Sequence, residues 1–424
     1  MLTTVFLGAR SILVTKPAVA DRKTPMPIIE SLLETDLYKF TMWQAFFYKP
    51  ALRNNVAVYE FKCRNTPKVP LATLAEEISA EIEHFCTLRF KPEEIEYLRS
   101  LGFFKEEFLE YLSTHKFNSN NIQMTIVNGR LKDGVVLDGD LQIKAEGYLL
   151  DVMGFEIPVL AIVNEVYFRH TTNPSALEEA KYRLYDKFEA MDYVHGTDET
   201  FSFCDFGLRR RYSGSWHRAV VESFKNTPAF TGTSNVFLAR ELKVKPIGTM
   251  AHEYLQAYQT LSPLREFQKN ALMDWALLYR GKLGIALTDT VGIDAFLNDF
   301  DLLLAKIYDG VRHDSGDPVE WAEKVLNHYQ KLGIDPKTKT LVFSDGLTPK
   351  KAIEIHREFS HKAKLVFGIG TNLTNDTGET PLNIVMKLTS LGGLPVAKLS
   401  DSQGKTMCND SAYVSHLRKT FENP

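Results

Sequence analysis

The chain has 424 residues, 44% hydrophobic and 24% charged, with a formal net charge of -3. That length allows a large core and two domains, or one barrel with an appendage, and the near-neutral balance gives no reason to expect a nucleic-acid partner. No run reaches the roughly 18 apolar residues a membrane span needs, and the four cysteines form no C-x-x-C pair, which argues against a disulfide framework or structural zinc and for a reducing, cytoplasmic setting.

Residues 1–26 carry Arg10, Lys16, Arg22 and Lys23 against Asp21 alone. A transit peptide has this composition, but the simpler expectations are a disordered extension or a misplaced start codon. A helical start near Leu37 to Phe47 leads to Val56–Arg64, where Ala57, Tyr59, Phe61 and Cys63 alternate with polar or smaller neighbours as in a half-buried strand. Helices are expected at 71–87, 92–100 and 105–114. Strands follow at 122–127 and 134–145, set off by turns at Asn128-Gly129 and Asp138-Gly139. This first part is α+β in character.

Beyond residue 150 strand and helix alternate. Strands are expected near 201–205, 229–233, 246–249, 284–288, 308–313, 340–344 and 364–368, with helices at 215–226, 235–243, 252–260, 318–332 and 348–359. Leu326, Tyr329 and Leu332 mark one apolar helical face, and Gly333 stands where a C-cap glycine belongs. Such units predict parallel strands with helical crossovers. A (β/α) barrel fits best and an open doubly wound sheet is the alternative. Asn383–Leu388 and Val396–Leu399 read as strands of a tail that returns to the first domain.

Polar residues gather at the strand ends, which is where βα architectures carry chemistry. The longest such cluster is Arg312-His313-Asp314-Ser315-Gly316-Asp317-Pro318. It belongs to a series with Thr288-Asp289, Ser344-Asp345-Gly346 and Gly368-Ile369-Gly370-Thr371, each directly after a short apolar run. Asp205-Phe206-Gly207-Leu208 runs into Arg209, Arg210 and Arg211. Thr231 to Asn235, with Thr233 and Ser234 at its centre, opens a helix, and Gly248-Thr249-Met250-Ala251 leads to His252-Glu253.

Each cluster has a plain and a functional meaning. The glycines at 368 and 370 make either turns or a backbone cradle for phosphate. Three arginines are either a solvated helix start or a bidentate anion clamp. Asp314 and Asp317 serve as helix caps, as ribose acceptors or as partners of a hydrated Mg²⁺. A lone His252 is more often structural, but its place among the strand-end loops favours a reactive role. Lys398 and Lys405 are either surface lysines or phosphate contacts. No Walker A motif, nucleophile elbow or zinc helix is present. Carboxylates, hydroxyls and glycines at successive strand ends predict a site for a phosphorylated sugar.

With these segments in hand the chain resembles the nicotinate phosphoribosyltransferase family of NAD salvage. The likeness runs in order through Leu33-Glu34-Thr35-Asp36-Leu37-Tyr38-Lys39, Asp205 to Arg211, Gly232 to Asn235, Gly248 to Glu253, Arg312 to Glu320, Leu341 to Asp345, Phe367 to Thr371, Pro381 to Val385 and Lys398 to Lys405. It covers roughly residues 30–415. The resemblance implies an irregular (β/α) barrel over 151–375 and a second α/β domain built from 27–150 and the tail 376–424. It implies an ATP-dependent enzyme, ligase-type in classification, that joins nicotinate to phosphoribosyl pyrophosphate. The implied products are nicotinate mononucleotide and pyrophosphate, and Mg²⁺ is required.

His252 is the implied phosphorylated residue, with Asp289 and Asp314 as its catalytic companions. Which acid holds Mg²⁺ and which the ribose stays open. A homodimer with shared sites is implied, with Tyr38 of a neighbouring subunit and Phe206 stacking on the two faces of nicotinate. Arg209 is implied near the ring and Arg312 near the ribose phosphate. Thr233, Ser234, Ser344, Asp345, Gly368, Gly370 and Thr371 complete the implied substrate site. Ser234 stands where nicotinamide-using relatives carry an acid, which favours nicotinate by removing repulsion against its carboxylate. A nicotinamide or quinolinate enzyme of the same fold, a metabolite sensor and a Schiff-base lyase at Lys398 are the competing readings.

Overall fold

The computed structural model describes residues 4–7, 10–13, 26–173, 175–261, 263–401 and 406–422. Its strands are β1 (Thr4–Leu7), β2 (Arg10–Leu13), β3 (Val56–Cys63), β4 (Ile122–Val127), β5 (Leu131–Lys132), β6 (Val135–Val136), β7 (Asp140–Tyr148), β8 (Phe203–Asp205), β9 (Phe230–Thr233), β10 (Ile285–Leu287), β11 (Gly310–His313), β12 (Thr340–Phe343), β13 (Lys364–Ile369), β14 (Ile384–Leu391) and β15 (Leu394–Pro395). They build an α/β protein with one parallel sheet, one mainly antiparallel sheet and the separate two-stranded pair β5-β6.

The antiparallel sheet runs β15-β14-β3-β7-β4-β1-β2. Alternation in β3 buries Ala57, Tyr59 and Phe61 on one face, as the period-2 pattern requires. The tail returns to this sheet, with Ile384 opposite Cys63 and Met386 opposite Phe61. The other expected tail strand, Val396–Leu399, does not form. That stretch instead bonds the parallel sheet's loops, through Leu399 N to Thr290 O at 2.8 Å and Ala397 N to Gln259 Oε1 at 2.9 Å. The strand expected at 134–145 is divided, because Gly139 turns with φ of +121° between β6 and β7. Within the expected extension, β1 and β2 pair with each other, and β1 lies beside β4.

The parallel sheet runs β10-β11-β12-β13-β8-β9. Its strands are short and apolar, and helices lie between most of them, as parallel pairing demands. One of the seven expected strands, 246–249, is reduced to one bridge, Thr233 with Pro246. Gly232, at φ +141°, permits it, since a Cβ there would stand 2.0 Å from Lys245 O. From that bridge the chain crosses to the opposite edge of the sheet, where Thr249 Oγ1 donates to Ile285 O of β10 at 2.9 Å.

Helix Glu156–Thr171 was not legible in the sequence. It is apolar on every side and buried for most of its length, so no amphipathic stripe marks it. Phe155 at its start meets Phe85 and Phe117, with ring centroids 5.9 and 5.0 Å apart. The C-terminal helix Ser411–Glu422 was also unforeseen, and docks through Phe421 on Phe267 at 5.7 Å.

Candidate active site

Parallel pairing brings the C-terminal ends of β8 to β13 to one rim, and a cleft of about 640 Å³ opens there. Tyr38, Phe206, Arg209, Ser234, His252, Arg312, Asp314, Ser344, Asp345, Gly370 and Thr371, all expected from the sequence, line it. Asp289 stands one layer behind.

His252 begins the helix His252–Tyr258 and gives Nε2 to Asp289 Oδ1 at 2.7 Å. A carboxylate acceptor fixes the Nε2–H tautomer and leaves the lone pair on Nδ1. Burial pushes the imidazole down to about 4, helped by Lys398 and opposed by Asp289. Asp289 is itself held well below the usual carboxylate range. Burial works against its charge, but His252 and Lys398 outweigh that cost. Lys398 Nζ lies 2.5 Å from Asp289 Oδ2 and 3.7 Å from Asp314 Oδ2. Ser315 Oγ also donates to Asp289. Asp314 accepts from Ser344 Oγ at 3.0 Å. Burial disfavours its charge too, yet Lys398, Arg312 and His252 bring it to about 2. Lys398 is therefore no surface lysine. Lys405 lies outside the described residues.

The aromatic wall depends on Asp205 at the end of β8. Fully buried, it accepts from His217 Nε2 and Thr233 Oγ1 at 2.6 Å each and from Gly207 N at 2.8 Å. These bonds shape the turn that carries Phe206. Thr233 thus gives its hydroxyl proton to Asp205. Gly368 lies beside the same turn. The Phe206 ring lies over it, and a Cβ at 368 would stand 2.4 Å from Phe206 Cδ2, so this glycine makes room for an aromatic ring.

Tyr38 lines the cleft of its own chain, where a neighbouring subunit was expected to supply it. Leu37 N donates to Ser234 O at 2.9 Å, Thr41 Oγ1 to Thr249 O at 2.6 Å, and Lys39 Nζ meets Glu253 at 2.5 Å. These bonds fasten the helix Leu37–Phe47 against the cleft loops from within the same chain. Gly248, with φ of +154°, allows the close approach, since a Cβ there would lie 3.1 Å from Tyr38 N.

The three arginines have three fates. Arg209 lines the cleft with its Nε 3.8 Å from Asp36 Oδ2. Arg210 also reaches the cleft and donates to Ile384 O at 3.0 Å. Arg211 has no exposed side chain and pairs with Glu34 and Glu165, so its charge is committed within the protein. Asp317 caps the helix Pro318–Lys331, accepting from Val319 N and Glu320 N.

Sequence reasoning missed Asp36, Arg64, Glu156, Glu253 and Lys387, which also line the cleft. Asp36 and Glu253 sat inside recognised motifs, so they could have been found. Glu156 and Lys387 lie in apolar stretches that carried no site signal. Lys39 is buried between Glu156 at 2.6 Å and Glu253 at 2.5 Å. Burial works against both acids. Glu156, which also faces Lys387 and Arg209, is held low, whereas Glu253 is pushed up.

An acid also stands beside Ser234. Ser234 Oγ donates to Asp36 Oδ1 at 2.6 Å, so the ring pocket is not free of carboxylates, as Ser234 alone had implied.

Residues 201–424 match the nicotinate phosphoribosyltransferase (NAPRTase) family, and residues 33–164 match the NAPRTase N-terminal domain. A nicotinate phosphoribosyltransferase of Herminiimonas arsenicoxydans is 51% identical over 94% of this chain and 99% of its own. One of Acinetobacter baylyi is 49% identical over 93% and 97%. Among solved structures, a nicotinate phosphoribosyltransferase from Vibrio cholerae superposes with a TM-score of 0.84 at 37% identity, covering 94% of each chain. One from Porphyromonas gingivalis gives 0.82 at 33%, covering 93% of this chain and all of the other.

Proposed function

The chain belongs to the nicotinate phosphoribosyltransferase family, and from that premise we propose that it joins nicotinate to phosphoribosyl pyrophosphate in NAD salvage. The products are nicotinate mononucleotide and pyrophosphate. The observation that carries this reading is that Tyr38, Phe206, Arg209 and Arg312 share one cleft with the His252–Asp289 pair. Two aromatic rings suit a flat pyridine, and two guanidinium groups suit its carboxylate and the ribose phosphate. Arg312 lines the cleft, and its buried Nε has no hydrogen-bond partner.

The pyridine nitrogen attacks C1 of the ribose as the bond to pyrophosphate breaks, so no side-chain nucleophile is needed. Positive charge spreads over C1 and the ring oxygen, and the anionic Asp314 on the cleft wall favours it.

Mg²⁺ bound directly among His252, Asp289 and Asp314 would have donor atoms within 4.8 Å of one another, but His252 and Lys398 already occupy Asp289. Asp314 fits better, as the acid that would hold the ion. When bound there, the ion supplies charge neutralisation to the diphosphate.

ATP is the co-substrate. Nδ1 of neutral His252 attacks the γ-phosphorus, ADP leaves, and Nε2–H stays on Asp289, whose charge stabilises the phosphorylated ring. Hydrolysis of the phosphohistidine completes the cycle.

The same reading treats the strand ring closed through Thr249 as an irregular barrel over 151–375. Residues 27–150 and 376–424 then form the second domain, after the extension 1–26. It makes the enzyme a cytoplasmic homodimer, consistent with four free cysteines, in which each chain builds its own cleft. Among the described residues no helix is long and apolar enough to cross a membrane.

Incubation with γ-labelled ATP is expected to label the wild-type protein on histidine. His252→Asn should lose the label and the stimulation by ATP while keeping slow transfer from nicotinate. Stimulation by ATP that survives in the variant would remove His252 from this role.

A further inference from the structure

Asp36 occupies the N-cap position of the helix Leu37–Phe47, yet its side chain makes no capping bond. An aspartate there ordinarily accepts from the first helical N–H groups. Here the carboxylate is turned to other work. Oδ1 accepts from Ser234 Oγ at 2.6 Å, and Oδ2 faces Arg209 Nε at 3.8 Å. Asp36 is 2% exposed, and all three residues line the cleft beside Tyr38.

At 3.8 Å the contact with Arg209 is electrostatic and too long for a hydrogen bond. It aims the guanidinium without consuming its donors. Ser234 in turn holds Oδ1 by a short bond, which occupies one of that oxygen's two acceptor sites and fixes the carboxylate's direction.

We propose that Asp36 is a positioning residue that sets the ring preference of the site, steering Arg209 toward a pyridine carboxylate while Ser234 keeps the acid from serving a carboxamide. The inference rests on the proposed use of nicotinate and deepens it. An unrestrained acid would repel a carboxylate ligand and accept from the N–H₂ of an amide. Ser234 therefore acts on specificity through Asp36. The absence of an acid at position 234 is not the whole device.

The two partners predict different failures. Asp36→Asn keeps size and the bond to Ser234 but removes the charge that aims Arg209. Its KM for nicotinate should rise about tenfold, the difference a charge-assisted contact makes, while the KM for phosphoribosyl pyrophosphate stays within about twofold. Ser234→Ala releases Oδ1, and the ratio of kcat/KM for nicotinamide to that for nicotinate should rise by about tenfold.

Steady-state kinetics on the full-length enzyme with both pyridines reads all of these values. A nicotinate KM that is unchanged or lower in Asp36→Asn would overturn the proposal, as would a parallel rise in both KM values. Should Asp36→Asn fail to fold, Ser234→Ala still decides, because an unchanged ratio there also defeats it. A wild-type enzyme that makes no product from nicotinate would instead defeat the underlying functional reading.

Discussion

At the scale of single residues the site divides into groups the sequence declared and groups it hid. His252, Asp289 and Asp314 were visible because each ends an apolar run at a glycine- or hydroxyl-rich turn. Lys39 was not, since a lysine inside a helix reads as solvated surface. In the structure it is one of the largest fully buried side chains, and it shares its ammonium between Glu156 and Glu253. Removing one partner from a buried charge cluster leaves the others uncompensated. Lys39→Met is expected to destabilise the protein by about 3 to 5 kcal/mol, measured by urea denaturation. A loss below about 1 kcal/mol, the usual size for an exposed pair, would show that the three groups do not act as a buried unit.

At the scale of elements, periodicity placed the parallel strands and the helices Pro318–Lys331 and Pro349–Phe359 almost to the residue, because each helix is amphipathic and capped. It failed at Glu156–Thr171, where burial on all sides erases the stripe. It overstated 246–249, whose one bridge leaves little ladder to detect. Glycine chemistry was ambiguous for a physical reason, since a position without Cβ serves a phosphate or a packed ring equally well. Gly368 serves the ring. Gly368→Ala on β13 should push Phe206 into the cleft and raise the KM for nicotinate by about tenfold or more, as a displaced contact of that kind does. Circular dichroism should still show a folded protein. A KM unchanged by the alanine would mean that Phe206 does not form the ring wall.

For the whole molecule, two sheets and the helices between them bring residues from both ends of the chain to one cleft. Tyr38 arrives from the N-terminal segment, Lys387 and Lys398 from the tail. The return of the tail was expected from Asn383–Leu388, but its partner and register were not, because β14 pairs with β3 across more than three hundred residues. Tyr38, Phe206 and His252 of one chain thus line the same cleft, and on the proposed reading each chain builds its own site. Mixing Tyr38→Ala subunits with His252→Asn subunits should restore no ATP-stimulated transfer. Recovery to about a quarter of the wild-type rate, the share expected from random dimers with sites built across a two-fold interface, would show that subunits exchange these residues. The central claim meets its most direct test in product formation from phosphoribosyl pyrophosphate and Mg²⁺, with nicotinate and nicotinamide offered in parallel, with and without ATP. The account predicts mononucleotide from nicotinate, faster with ATP and accompanied by ADP, and little from nicotinamide. Equal product from nicotinamide, or none from nicotinate, would contradict it.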